Sequence, residues 1–542
     1  MTDSFVLNKS PSLLAASLLG WAALTAVALF PVVTFSKTCP ILNYLFVALV
    51  LLLIVQFLNV SRMLSIIFLG RDAASPAVIA PRHPAVEPRV AVLYCTCNDF
   101  LGDSLRSCIN LNYGNFHSFV LDDSDDRHCM QALDGFVRQH PDRVTLVRRP
   151  TRGGHKAGNL NHALRMIAPD FEYFIVVDSD NLLPVGFITD LLPYFQLSNQ
   201  IGFVSCNQAG YLKAHNVLGR SWAHSWDLQE DLVAHVKNKY GHVRFSGHNA
   251  IIKTSAWKEI GGFPEIVFED IAFSLKARAA GFGGIFVRDY CVREAVPPDM
   301  AAMQRKLARH TVGGCQFMVQ FYPAFVFEKN VSWVEKLDVL FGVFATAFQW
   351  PALFCLTALL FDVFQRVFVL WHPAGNDPAW LLRSRIESLM ILMVTLLSLC
   401  FLLSTVLSRK NRAHDKMSPF AFIVWQTYLY VASLPKFLIN IFFAAPAARL
   451  YDWIPSGDTA ASRCGTPASR ELAECLLGAI IVVVGVSLKS PGAILVGTSS
   501  LATLVSCRIG KAMPALAYAT FFCATAVGFQ VVLRTLSGGN LP

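Results

Sequence analysis

Long stretches without a charged side chain bracket a polar middle, and they constrain this chain more than any other feature. Ser10 to Ser36 and Thr38 to Ser61 contain no Asp, Glu, Lys or Arg, and each exceeds the roughly 20 residues that a helix needs to cross a bilayer. Similar runs cover Val339 to Phe361, Ser388 to Ser408, Met417 to Pro435, Cys475 to Leu488, Ser490 to Cys507 and Ala512 to Leu533. Lipid offers no partners to backbone N–H and C=O groups, so these runs read as membrane helices, about eight in all. Cys475 to Leu488 is short and spans only with help from its neighbours or from Lys489 snorkelling to the interface. The first two runs read as a membrane hairpin rather than a cleaved signal peptide, because the first is too long and an equal run follows at once. A composition of 54% hydrophobic and 15% charged residues also excludes an ordinary soluble enzyme over the whole length.

The net charge of +9 gathers where orientation is set. Arg62, Arg71, Arg82 and Arg89 follow the hairpin, and Arg409, Lys410, Arg412 and Lys416 follow the fourth run, so the positive-inside rule puts both segments and the long middle in the cytoplasm. For Ala445 to Arg470 two arguments compete: Arg449, Arg463 and Arg470 favour the cytoplasm, whereas counting spans from Met417 favours the far side. The expected organisation is a transmembrane hairpin over 1–72, a linker over 73–88, a cytoplasmic domain over 89–300, an interfacial helical segment over 301–336 and a membrane bundle over 337–542. The 14 cysteines form no CxxC or Cys/His cluster, so they read as reduced thiols and offer no zinc site.

Within the middle, short apolar strands are predicted at Val90–Tyr94, Phe116–Leu121, Val144–Val147, Phe174–Val177 and Ile201–Val204, separated by helix-length segments. That alternation predicts an α/β domain with a parallel-dominated sheet. Ligands of open α/β sheets bind beyond the carboxyl ends of the strands, and two predicted strands end there in carboxylates. Phe174–Val177 runs into Asp178-Ser-Asp180, and Phe116–Leu121 into Asp122-Asp123-Ser-Asp-Asp126. Asp178 and Asp180, with no nearby His or Cys in sequence, suit a hard ion such as Mg2+ or Mn2+ that takes further oxygens from a substrate diphosphate. Arg152-Gly-Gly-His-Lys156 precedes a helix start, where backbone N–H groups and a cation suit a phosphate-bearing ligand. Glu269 and Asp270 open another helix; they either complement its dipole or serve as a base, and the dipole is expected to favour the ionised form of Asp270. Met303 to Gln316 is a basic amphipathic segment, suited to a membrane interface of anionic headgroups.

In this order, over roughly Arg89 to Gln320, these residues resemble the membrane-integrated family 2 glycosyltransferases: the cellulose, chitin and hyaluronan synthases and the bacterial β-glucan synthases. The resemblance implies a GT-A-type nucleotide-sugar-binding domain inserted between α-helical transmembrane segments of a multi-pass protein, in a bacterial inner membrane. It assigns Asp122 and Asp123 to the uridine part of the donor, Lys156 to the nucleotide, Asp178 and Asp180 to metal and diphosphate, and Asp270, with Glu269 beside it, to the general base. The family's Gln-x-x-Arg-Trp motif is here Lys306-Leu-Ala-Arg309-His310. Arg309 matches, whereas Lys306 replaces Gln and His310 replaces the Trp that packs on the acceptor sugar; imidazole offers a smaller stacking face with a hydrogen-bonding edge. The implied activity is processive, inverting transfer from a UDP-sugar, UDP-glucose foremost, into an exported β-glucan. Gln349 with Trp350, and Trp425 with Gln426 and Tyr428, are candidates to line the export path, against plain helix packing. The rivals are a non-processive enzyme with a lipid acceptor and a non-catalytic transferase-like subunit. Expected partners are the UDP-sugar, a growing glycan or lipid acceptor, and membrane lipid; nucleic acid is not among them.

Asp178→Ala or Asp180→Ala is expected to abolish transfer, because the diphosphate charge loses its counter-ion. Radiolabelled product formation, with and without a chelator, checks this; full activity of either variant rejects the metal assignment.

Overall fold

The computed structural model describes residues 7–29, 40–70, 87–211, 217–297, 299–371, 379–407, 417–447 and 468–509. The middle forms one eight-stranded sheet in the order β3-β2-β1-β4-β7-β6-β8-β5. Its strands are β1 (Val90–Thr96), β2 (Phe116–Asp122), β3 (Val144–Val147), β4 (Tyr173–Asp178), β5 (Asn181–Leu182), β6 (Ile201–Tyr211), β7 (Ala250–Lys253) and β8 (Gly283–Ala295). Side chains of β1 alternate between two cores: Val90, Val92 and Tyr94 join Ile175 and Val177 on one face, and Ala91 and Leu93 join Phe174 and Val176 on the other. Both faces are therefore covered, which is why these strands read as unbroken apolar runs.

The sheet is mixed but parallel-dominated, as expected, and its longest pairing, β6 with β8, is parallel. β3, β2, β1 and β4 are parallel, but β7 is antiparallel to both β4 and β6, and β5 is antiparallel to β8. Ala250–Lys253 is too short to stand out in sequence, and its wedging between β4 and β6 is a tertiary choice.

Among the described residues four helices are long and apolar enough to cross a membrane: Leu42–Leu69, Trp350–Leu370, Ile386–Ser404 and Phe420–Ile441. Shorter apolar helices cover Ser12–Val27, Leu472–Ser487 and Pro491–Val505, and the run Ala512 to Leu533 lies outside the described residues. Leu42, Phe46, Leu49, Leu53 and Phe57 form one helix face packed on Phe364, Phe368, Ile386 and Met393. The run Val339 to Phe361 is not one helix. Gln349, at φ 47°, ends the helix Trp333–Phe348, and Trp350–Trp371 begins after it with Pro351 in its first turn. The Gln349 amide donates to the Leu307 carbonyl and the Thr311 hydroxyl, both at 2.8 Å, which anchors the break on the helix Met300–Gln320.

A buried polar junction ties the sheet domain to these helices. Glu335 takes both guanidinium contacts of Arg278, at 2.7 and 3.0 Å, and caps its own helix through Ser332. Asp338 bonds Arg62, Lys237 and the backbone N–H of His242. Burial opposes ionisation of Glu335, but hydrogen bonds from His242 and Arg278 outweigh it and lower its pKa from 4.5 to about 2. Because the folded value lies below the unfolded one, the ionised carboxylate stabilises fully above about pH 4.5 and loses its effect as pH falls toward 2. Glu335→Gln is expected to cost about 3–5 kcal/mol by stranding Arg278. Thermal melts of detergent-purified protein check this: the melting temperature should drop at neutral pH, and the variant should lose less stability than wild type between pH 4.5 and 2, because Asp338 still titrates there while Glu335 no longer does.

Candidate active site

One cavity of about 1120 Å³ opens where β1, β2 and β4 end, and it is lined by Asp123, Lys156, Asp178, Asp180, Glu269, Asp270, Arg309 and His310. Eight of the nine sequence-predicted site residues thus line one cavity. Asp122 is the exception. Its buried carboxylate accepts from Arg148 Nε at 2.7 Å and from the Ser124 N–H at 2.9 Å, and Arg148 also pairs with Asp134. Asp123, the next residue, does line the cavity and receives a two-pronged Arg149 contact at 2.9 and 2.7 Å.

Arg149 also shapes the loop before Lys156, donating to the carbonyls of Gly153 at 2.5 Å and His155 at 3.1 Å. Gly154 adopts φ 65° there, a left-handed conformation that favours glycine, and a Cβ would collide with Glu265 at 2.4 Å. The helix His155–Ile167 then delivers Lys156 to Asp178 Oδ1 at 2.5 Å and to the Gly247 carbonyl at 2.8 Å. Burial works against the Lys156 ammonium, but Asp178 above all holds its pKa above the ordinary lysine value. Burial likewise works against the Asp178 carboxylate, and Lys156, His248 and Arg309 pull its pKa below the usual value.

Asp180 behaves oppositely. Burial, then Glu294 and Asp178, push its pKa up to about 8. Glu294 lies on β8, far off in sequence, and His248 stands between it and the strand-end pair: Nε2 is 3.6 Å from Glu294 and 4.0 Å from Asp178. The amides of Asn181 and Gln208 each lie 3.4 Å from His248 Nδ1. His248 and Glu294 carried no signal in sequence beyond a Gly-His-Asn turn and an ordinary strand glutamate. The crowding of Asp178, Asp180 and Glu294 fits a hard divalent cation, which would relieve their repulsion. Among the described residues no three such side chains are placed to hold a metal by themselves. The two carboxylates therefore fit the cation only together with substrate oxygens, as magnesium sites commonly do.

Glu269 and Asp270 sit at the start of the helix Glu269–Ala279, and the Ile271 N–H donates to Asp270 at 2.7 Å. Gly247, at φ 87°, faces this carboxylate, and a Cβ there would lie 3.4 Å from Asp270 Oδ2. The helix dipole does not decide the charge state of Asp270. Burial raises its pKa against the backbone hydrogen bond and the Arg244, Lys156 and His248 charges, and burial with Asp270 raises Glu269 to about 8. His310 packs edge-on against Phe268 at 6.5 Å, and burial with the Arg309 and Lys306 charges keeps its imidazole neutral. Of the candidate path residues, Gln349 and Trp350 line the cavity. Gln426 instead donates to Ser221, Tyr428 bonds Thr503 at 3.0 Å, and Trp425 packs edge-on against Tyr428, so these three serve helix packing.

Residues 88–313 match the family described as glycosyltransferase-like family 2. The chain carries a family 2 glycosyltransferase domain. Its fold is GT-A-like, with a mixed sheet and flanking apolar helices. The domain is 22% identical over 238 residues to glucomannan 4-beta-mannosyltransferase 7 of Arabidopsis thaliana, covering 42% of this chain and 42% of that protein. It is 25% identical over 162 residues to glucans biosynthesis glucosyltransferase H of Cereibacter sphaeroides, covering 28% and 27%. The matches thus span well under half of these curated relatives. Among solved structures, a mannosyltransferase from Pyrobaculum calidifontis in complex with GDP-Man and Mn2+ superposes with a TM-score of 0.43 at 19% identity, covering 72% of this chain and 100% of that one.

In this domain Asp270→Asn is expected to preserve size and nucleotide binding while lowering turnover about 100-fold or more, since the amide cannot accept a proton. Calorimetric titration with nucleotide beside a turnover assay checks both halves; unchanged turnover rejects the base.

Proposed function

We propose that this protein is a processive, inverting glycosyltransferase that builds a β-linked glycan from a UDP-sugar, UDP-glucose foremost, and passes it into its own helix bundle. The observation that carries this reading is the continuity of one cavity from Asp178 and Asp270 to Trp350, Leu397, Cys400, Phe422 and Tyr430 of the apolar helices. An acceptor in that cavity would reach the carboxylates from the helix side.

Asp178 and Asp180 would hold the cation, which supplies positive charge on the leaving diphosphate. Lys156 and Arg309 add to that charge from the protein, and Asp123 faces the same cavity for the nucleoside. Asp270, with its raised pKa and its place in the cavity wall, would take the proton of the attacking hydroxyl. Direct attack opposite the leaving diphosphate inverts the anomeric carbon and gives a β-linkage from an α-linked donor. The altered Lys306 and His310 do not empty the site of chemistry: every carboxylate needed for transfer is present, which weighs against a non-catalytic subunit.

The apolar part of the lining supports a second reading, transfer of one or two sugars to a lipid acceptor. Sealed vesicles with the transferase domain outward separate the two. External UDP-sugar should yield long polymer protected inside from added glycanase, with linkage analysis naming the product. Short product on lipid, accessible from outside, selects the second reading.

A further inference from the structure

Beyond the strand-end pair and the base, the cavity wall carries two indoles and a lysine that meet the outer side of Glu294. Trp222 and Trp226 lie on the helix Val217–Leu228, and both line the cavity. The Lys306 ammonium sits 4.7 Å from the centre of the Trp226 ring and 6.0 Å from that of Trp222, and Glu294 holds it at 3.4 Å. Lys306 thereby fastens two indoles from one helix to the end of β8. Glu294 also faces His248, 4.0 Å from Asp178, so this wall adjoins the strand-end pair assigned to the donor.

A second observation concerns the indole nitrogens. Among the described residues the N–H of Trp226 has no acceptor, and neither has that of Trp350, farther along the same cavity wall. An unpaired indole N–H in a protein interior is costly, and a ligand oxygen can remove that cost. Indole faces suit the apolar C–H faces of a sugar ring, and the Lys306–Glu294 pair supplies a donor and an acceptor to its hydroxyls. A lipid chain would use the ring faces but leave both N–H groups without an acceptor.

The geometry points to a saccharide acceptor subsite formed by Trp222, Trp226, Lys306 and Glu294, continued outward by Trp350, and selecting a glycan rather than a lipid end. This rests on the transferase reading, and it names the acceptor's chemical class and the side chains that select it.

The test is calorimetric titration of the detergent-purified full chain, with UDP present, against tetrasaccharides of β-1,4-, β-1,3- and β-1,6-linked glucose and β-1,4-linked mannose. Wild type should bind at least one of them. Trp226→Phe, which keeps an aromatic ring and removes the N–H, should weaken that binding about threefold to tenfold. Trp226→Ala should weaken it about tenfold or more, and Lys306→Met should weaken it in the same sense, with UDP affinity preserved as the control for folding. Unchanged tetrasaccharide affinity in Trp226→Ala overturns the subsite, as does wild type that binds none of the four but binds a short-chain polyprenyl phosphate. The synthase reading is judged separately by polymer formation. Trp226-dependent tetrasaccharide binding without polymer rejects that reading and supports the subsite; polymer made with affinities indifferent to Trp226 does the reverse.

Discussion

The contact of the Lys156 ammonium with Asp178 and the Gly247 carbonyl is the interaction on which the site depends. Asp178, Asp180, Glu269, Asp270 and Glu294 converge on one partly buried cavity, where carboxylates repel strongly and water screens poorly. Lys156 answers the part of that charge at the end of β4 and lowers the pKa of Asp178 and the burdens on Glu269 and Asp270. The surplus that remains falls on Asp180 and Glu269, both held near 8. A site with excess negative charge at one end and Arg244 and Arg309 around it is suited to a cation and an anionic diphosphate together.

Delivering Lys156 to that point requires an unusual backbone. Gly154 and His155 both take positive φ, and Gly247 does so on the opposite side. The two turns bring a helix start, the end of β4 and the segment before β7 within hydrogen-bond reach of one another. A rigid two-faced sheet core beneath them fixes the strand ends, so the strain is carried by the loops that face the ligand.

The same economy of placement joins domain to bundle. Arg278 of the sheet domain is buried against Glu335, and Arg62, Lys237 and Asp338 meet beside them. The break at Gln349 lets one chain segment supply both the helix Trp333–Phe348 and a long apolar one, and brings Trp350 into the cavity wall. Cavity and helices are thereby continuous.

What the sequence alone determined was local or periodic. Five strands, the carboxylates at the ends of β2 and β4, the glycine-rich approach to Lys156 and the helix start at Glu269 were legible because apolar runs, turn residues and caps act over a few positions. The tertiary structure decided everything that needed two distant segments. The antiparallel insertion of β7, the withdrawal of Asp122 behind Arg148, and the meeting of His248, Glu294, Lys306, Trp222 and Trp226 depend on pairings across the fold. The raised pKa of Asp270 belongs to the same class: the sequence places the carboxylate at a helix start, where the dipole favours its charge, but only the packed cavity supplies the desolvation that outweighs it.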